Sequence, residues 1–528
     1  MKKIVVLLLG FICVLNLQAQ TKTNKVKITY GPEYSIKNAS ITITKMISAN
    51  PEQFLFLGNQ LVSFSYSTNI IVANAGSDLR FRNTLPLAFK GLGDIEKLNF
   101  LDLYEVNDNI YVFGYVTEKS EKTVSLYMLT LDKEELIASE PRKLGAINYD
   151  YTNLRNVNKF QLNLSQDSSK ILIFYPAPYK AGMPQKFGAM VFDEDMNRIW
   201  ANEYELPYSD EDFAINDFFV MNNGQLVLKC TKYEGKKSII SRNIKDNYSF
   251  VLLATDDQGQ SLKEIDVNIQ NNFISEVIAS SLPNNDIVLV GLTYSKYISN
   301  KASGYFYTII DHNTFEVKKI KQYNFSPEFI AEGLGKLEAQ SILNSAANGN
   351  EVTINDLIFK DIVVNIDGSV IAFAEQVSTK DQELYNYDDI IVFKFNPEGE
   401  TKFLVKVPKR QKNIKGYEYL TSYIYTIYKD NIYILYNENI KNLVTPAPLP
   451  PKFIDFSSTN RNLCVAFCSI DPNGNKSNEL LFASKEIDDY IALPINSKVM
   501  APNKIALLLV RAKTLSYPKY KISIVNIK

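Results

Sequence analysis

The chain is poor in the residues that most enzyme chemistry draws on. Its 528 residues include one histidine, His312, one tryptophan, Trp200, four cysteines and nine arginines. A single imidazole excludes histidine pairs and clusters, and leaves a Ser-His-Asp arrangement only if His312 meets a serine on a protected face. No HExxH, GxSxG or P-loop pattern occurs, and Gly91-Leu-Gly93 is a lone GxG without weight. Charge of one sign is also lacking: 57 Lys+Arg stand against 58 Asp+Glu, which argues against a nucleic-acid partner. Beyond the first twenty residues no apolar run approaches the roughly 20 residues a membrane span needs; the best, Ile505 to Val510, is far shorter.

The one long apolar run lies at the start. Lys2 and Lys3 precede Ile4 to Leu17, and the stretch closes on Gln18-Ala19-Gln20. This pattern predicts a signal peptide over 1–19, cut between Ala19 and Gln20. The mature chain, 20–528, is then expected to be a single exported domain (periplasmic, cell-surface or secreted), monomeric and without a membrane span. Cys13 leaves with the signal. Of the remaining Cys230, Cys464 and Cys468, the last two lie on one predicted strand, roughly 13 Å apart, too far for a bridge. A link from Cys230 stays open in an oxidising compartment, and the spacing does not suggest metal binding by thiols.

What the chain has in quantity is Tyr and Phe, 32 and 30 of them, and a recurring unit. A turn rich in Asn, Asp or Gly precedes an apolar strand at Leu61, Ile110, Ile171, Leu226, Ile287, Val370, Ile432 and Ile505. A second apolar strand follows most of these and ends in its own tight turn, as in Asp256-Asp-Gln-Gly259, Asn396-Pro-Glu-Gly399 and Asp471-Pro-Asn-Gly474. The units recur about every 63 residues. Four-stranded units in series predict an all-β fold, a β-propeller of seven to eight blades with eight preferred. The inner strands are continuous apolar runs, as expected of sheets covered on both faces. WD40 and kelch signatures need Trp, His or Gly-Gly in each blade, which this chain does not supply. The last unit stops after two strands, and Lys25 to Tyr30 is a spare strand at the other end. Pairing the two would remove free edges, so the N-terminal strand is expected to close the last blade.

The turns within each unit are tight on one side, and the long connections all fall on the other. Rigid scaffolds carry function on such variable connections, which places the working face there, weighted to units five to seven. One short helix is expected near 327–345, with Ser326 as N-cap and Pro327 at its first position. Ligand-face candidates are Tyr385, Tyr387 and Asp388 in or near one loop. The basic and aromatic stretch Lys409, Arg410, Lys412, Tyr417 and Tyr419 suits a glycan or anionic polymer by charge and stacking. Tyr423, Tyr425 and Tyr428 are expected to pack inside the next blade. No cofactor is expected. Calcium is the weak alternative, on the spacing Asp193, Asp195, Asn197, but Arg198 and Tyr204 stand where an EF-hand has Gly and Glu.

Several stretches carry a resemblance: Asn386-Tyr-Asp-Asp-Ile-Ile-Val392, Asn396-Pro-Glu-Gly399, Val407-Pro-Lys-Arg-Gln411, Tyr436-Asn-Glu-Asn-Ile-Lys-Asn-Leu443, Phe192 to Trp200 and Glu205-Leu-Pro207. Over about residues 150–445 the chain resembles an uncharacterised group of exported β-propeller-like proteins common in Bacteroidota; Phe403 departs from it where Trp is expected. The resemblance implies an exported repeat protein and transfers no functional residue. The leading expectation is a non-enzymatic binding propeller that recognises a protein or glycan. The alternatives are a polysaccharide hydrolase or lyase using Asp/Glu or Tyr as acid–base groups, and a structural scaffold in an envelope complex.

Overall fold

The structure is a computed structural model that describes residues 22–35, 40–61, 68–87, 98–148, 160–177, 180, 182–233, 248–267, 269, 272–295, 300–380, 383–415, 418–444, 447–456, 462–511 and 517–528. The expected signal peptide, with Ala19 and Gln20, lies outside these residues.

Eight antiparallel sheets of four strands follow one another along the chain and form an eight-bladed β-propeller. The first seven blades span 40–86, 99–148, 161–209, 213–266, 273–324, 357–407 and 423–483. Within each, strands a to d run in sequence order, and strand a of each blade approaches strand a of a neighbouring blade, so these strands form the inner ring. The middle strands explain the continuous apolar runs. Ile287–Tyr294 and Gly304–Ile310, strands b and c of the fifth blade, are buried at every residue. Strand d, Val317–Asn324, alternates between half-buried and exposed, as an outer strand should.

The eighth blade is built from both ends of the chain. Its strands a to c are Lys498–Ala501, Lys504–Arg511 and Lys519–Ile527, and its fourth is Val26–Tyr30, antiparallel to the third from Val26 opposite Ile527 to Tyr30 opposite Ser523. The expected clasp is therefore present. Glu33 is ion-paired to Lys519 and Arg511 and accepts from Tyr490 Oη at 2.8 Å. Lys25 reaches Glu479 of the seventh blade at 2.7 Å. On the other flank, Tyr520 Oη donates to Ile41 O at 3.2 Å and binds the first blade to the eighth.

Two expectations need correction. The first unit does not turn just before Leu61: Gly58-Asn59-Gln60 lie inside strand b, Gln53–Leu61. The turn is at Asn50, whose Oδ1 accepts from the amides of Glu52 and Gln53 at 3.0 and 2.7 Å. Gly58 serves close approach instead: a β-carbon there would lie 2.8 Å from Thr42 O. The single helix near 327–345 is two, α1 (Pro327–Ala331) and α2 (Lys336–Ala347). Ser326 caps α1 as expected, but Gly333 at φ +83 breaks the run.

A regularity of the inner ring was not visible in the sequence. Strand a carries a β-bulge in several blades, and the residue after it is Asp102, Asp217, Glu276 or Asp361. Asp102, Asp217 and Asp361 each accept from the following amide, at 2.8, 2.9 and 2.8 Å. The carboxylate satisfies the N–H of the residue just past the irregularity in the ladder.

Candidate functional site

Charge is buried between the sixth and seventh blades, beside the connection that carries α1 and α2 and the described part of the seventh blade's long loop. Strand b of the sixth blade, Val370–Lys380, is apolar to Ala374 and then places Glu375 in the core with no exposure. An uncompensated buried carboxylate is strongly unfavourable, and Lys409, also wholly buried, lies 2.7 Å from Glu375 Oε1. Lys409 further donates to Tyr387 O at 2.8 Å. Ser422 Oγ donates to Glu375 Oε2 at 2.8 Å, and Lys360 stands 3.6 Å away. Gln411 carries the network onward. Its Oε1 accepts from Ser422 N and its Nε2 donates to Asn437 O, both at 2.8 Å. Asn437 Nδ2 donates to Leu420 O and Ala492 O at 2.8 Å, so one polar chain ties blades six, seven and eight.

Two further carboxyls hold the inserted segments. Burial pushes Asp389 up to about 6, against the pull of Lys406 3.9 Å away. Lys406 Nζ donates to Ile330 O and Glu332 O at 3.0 and 3.2 Å, binding the last carbonyls of α1. Burial pushes Glu438 up to about 7; it accepts from Asn439 N at 2.6 Å and Asn442 Nδ2 at 2.8 Å. Asn442 in turn accepts from Lys452 N at 2.7 Å and donates to Lys452 O at 3.0 Å. Asp388 Oδ1, Asn437 Oδ1 and the hydroxyls of Tyr423 and Tyr436 are buried in this seam without a hydrogen-bond partner among the described residues; a small polar molecule here would gain bonds.

Toward the axis, a cavity of about 430 Å³ opens between the inner strands of blades six to eight, lined by Asp361, Tyr423, Tyr425, Thr426, Ser497 and Lys498 among others. Tyr425 Oη donates to Asp361 Oδ2 at 2.6 Å, and burial raises the Asp361 carboxyl above its ordinary range in spite of that bond. A second cavity, about 250 Å³, lies between blades four and five beside the Lys229–Glu276 ion pair at 3.1 Å.

The sequence-predicted residues divide. Tyr385, Tyr387 and Asp388 are not in a loop but inside strand c of the sixth blade, Leu384–Phe395, because strands b and c extend until only 381–383 separate them. Lys409 is the buried partner of Glu375 rather than an open cation, and Lys406 is likewise buried. Arg410 lies with its guanidinium 4.2 Å from the ring centre of Phe453. Lys412 sits in the short strand Gln411–Ile414, which pairs with Leu384–Tyr387 and, in parallel, with Ile454–Asp455 from the seventh blade's long loop. Tyr419 packs in the turn Glu418–Leu420 against the core of the first and eighth blades. Tyr417 lies outside the described residues. Tyr423, Tyr425 and Tyr428 are in strand a of the seventh blade, as expected. Glu375, Gln411, Asn437 and Glu438 were missed; the only signal was polar residues closing apolar runs.

The remaining candidates are local. Asp193 accepts from Asp195 N at 3.1 Å and from Asn197 N at 2.7 Å, so the calcium-like spacing forms a hairpin turn. His312 is on the tight-turn face, its Nδ1 3.2 Å from Asp286 Oδ1. With Asp311 these form the one group of metal-type ligands among the described residues, and Lys318 Nζ lies against both acids at 2.9 and 2.6 Å. Cys230, Cys464 and Cys468 are buried free thiols, and burial pushes Cys468 up to about 12.

No protein-family model matches the chain, and no curated protein matches it. Solved structures do. The β-propeller domain of the Trilobed protease from Pyrococcus furiosus is 12% identical over 88% of this chain and 100% of that one, at a TM-score of 0.36. The acylaminoacyl peptidase of Pyrococcus horikoshii is 9% identical over 89% of this chain and 58% of its own, at 0.36. A polysaccharide lyase of family PL25, an ulvan lyase, is 11% identical over 79% and 89%, at 0.35. Likenesses of this size carry no argument about activity, and the architecture rests on the sheets themselves.

Proposed function

We propose that this chain is an exported, non-catalytic binding module that recognises a protein or glycan through the loop face of its propeller. The reading rests on one observation. The buried charges beneath that face are engaged with one another and with backbone carbonyls, and through them the inserted segments are held in place: Lys406 on α1, Glu438 and Asn442 on the seventh blade's long loop. Rigid support of variable surface segments is what a recognition surface requires, and Glu375 and Lys409 are too enclosed to meet a substrate.

The alternative reading, a polysaccharide hydrolase or lyase, is favoured by the Asp361–Tyr425 couple in the 430 Å³ cavity, a carboxyl and a phenol within proton-transfer distance. Glycan-array binding by the purified chain, run beside turnover assays on the same polysaccharides, separates the two. Retention without turnover is expected. Turnover abolished by Asp361→Asn would replace the first reading with the second.

A further inference from the structure

The outer edge of the sixth blade carries a shelf distinct from the axial cavity. The strands Gln411–Ile414 and Ile454–Asp455 extend that sheet at the edge opposite strand a. Three apolar side chains project from the shelf: Leu337 of α2 is 88% exposed, Leu449 65% and Phe453 48%. Isolated exposed apolar residues are ordinary, but these belong to segments that are joined and braced. A β-carbon on Gly335 would come within 3.2 Å of Pro450, so the start of α2 abuts the long loop. Arg410 stacks on Phe453, and Asn439 Nδ2 donates to Phe453 O at 3.1 Å.

The charge around them is mainly positive, with Glu338 beside Leu337 and Asp455 at the end of the shelf strand as the carboxylates. From Pro408 to Lys415 and from Asn439 to Ile454 the sequence has six lysines and arginines and no carboxylate. Lys409 is neutralised by Glu375; the other five stay at or near the surface. That excess favours an occupant that is anionic and also accepts aliphatic side chains. Sugars stack on aromatic rings and give Leu337 and Leu449 little to bury in. A rigid protein partner would need pockets for side chains that stand this far out. An anionic lipid surface offers both properties at once, headgroup charge over a fluid apolar layer.

We propose that this shelf docks the protein on an anionic lipid surface, with Leu337, Leu449 and Phe453 entering between headgroups that Arg410, Lys441 and Lys452 engage. The shelf is the outer edge of the inserted segments on which the proposed recognition face is built, and it is separate from the cavity facing the axis, so docking through Leu337, Leu449 and Phe453 leaves the rest of that face open to a protein or glycan.

The test is co-sedimentation of the chain from Gln20 onward, which contains every described residue, with phosphatidylcholine vesicles alone or with about a third phosphatidylglycerol. Binding is expected only to the anionic vesicles and should weaken as salt is raised. Leu449→Ser/Phe453→Ser and Lys441→Glu/Lys452→Glu should each lower it by about tenfold or more. Both pairs are exposed, so an unchanged thermal transition verifies the fold of each variant. The proposal is overturned if the anionic vesicles do not sediment the protein, if binding is indifferent to both double variants, or if the shelf instead captures only an acidic protein or a glycan. Lipid-free glycan binding is read separately, so either result leaves the other interpretable.

Discussion

At the scale of residues, the seam between blades six and seven is a small electrostatic balance inside the core. Removing one member of a buried pair leaves the other charge stranded. Lys409→Met should therefore cost about 3–5 kcal/mol, whereas Glu375→Gln with Lys409→Met should cost much less. Urea unfolding of the two variants measures the difference. The seam also responds to pH. The Glu438 carboxyl ordinarily titrates near 4.5, and burial raises it to about 7 in the folded chain. Between those values the folded chain holds a proton that the unfolded chain has released. The associated stability is thus complete below the ordinary value and is lost as pH rises through about 7, on the order of 3 kcal/mol in all. Asp389, raised from 3.8 to about 6, acts in the same direction at lower pH. Unfolding midpoints should fall between about pH 5 and pH 8, and Glu438→Gln, which keeps both accepted bonds, should flatten that slope.

At the scale of elements, turns decide how well the chain can be read. Asp256-Asp-Gln-Gly259 announces a hairpin, and it is one: Asp256 Oδ1 accepts from the amides of Gln258 and Gln260 at 3.1 and 2.8 Å. Gly259 has a second role that no local pattern encodes. It has φ +66, and a β-carbon would come 2.5 Å from Trp200 of the preceding blade. Gly259→Ala should cost about 1–3 kcal/mol, read as a lowered melting temperature. The b and c strands were legible because burial on both faces leaves a run of apolar residues. The loop-side ends of those strands were not, since Tyr385 and Tyr387 look polar enough for a loop yet pair with Thr379 and Val377. Glu375, Lys409 and Gln411 were illegible for a deeper reason. Each is a polar residue whose partner comes from another strand or connection, and sequence patterns report periodicity, not who meets whom across a seam.

At the scale of the whole molecule, eight blades close because Val26–Tyr30 supplies the strand the last repeat lacks. Lys27 and Asn526 lie opposite each other in that pairing, a spacing that a disulfide spans. Lys27→Cys/Asn526→Cys should oxidise readily and raise stability by about 2–4 kcal/mol, measured as a shift in the denaturation midpoint that vanishes on reduction. The same scale explains why the inner ring's bulge acids went unnoticed. Asp102, Asp217, Glu276 and Asp361 are equivalent only once the blades are superposed around an axis, and nothing in the linear spacing marks them.

The clasp also bears on how copies of the chain behave toward one another. Lys528 Nζ donates to Asn24 O at 2.7 Å across 504 residues of sequence. Seven blades can assemble from neighbouring strands, but the eighth must wait for partners from opposite ends, a long-range pairing that is slow to form. Until then Lys519–Ile527 is a bare edge that accepts any matching strand, and the best match in a crowded solution is the Val26–Tyr30 of another molecule. Strand exchange would link open rings into dimers and longer chains, so refolding at high concentration should yield species that dilute refolding does not.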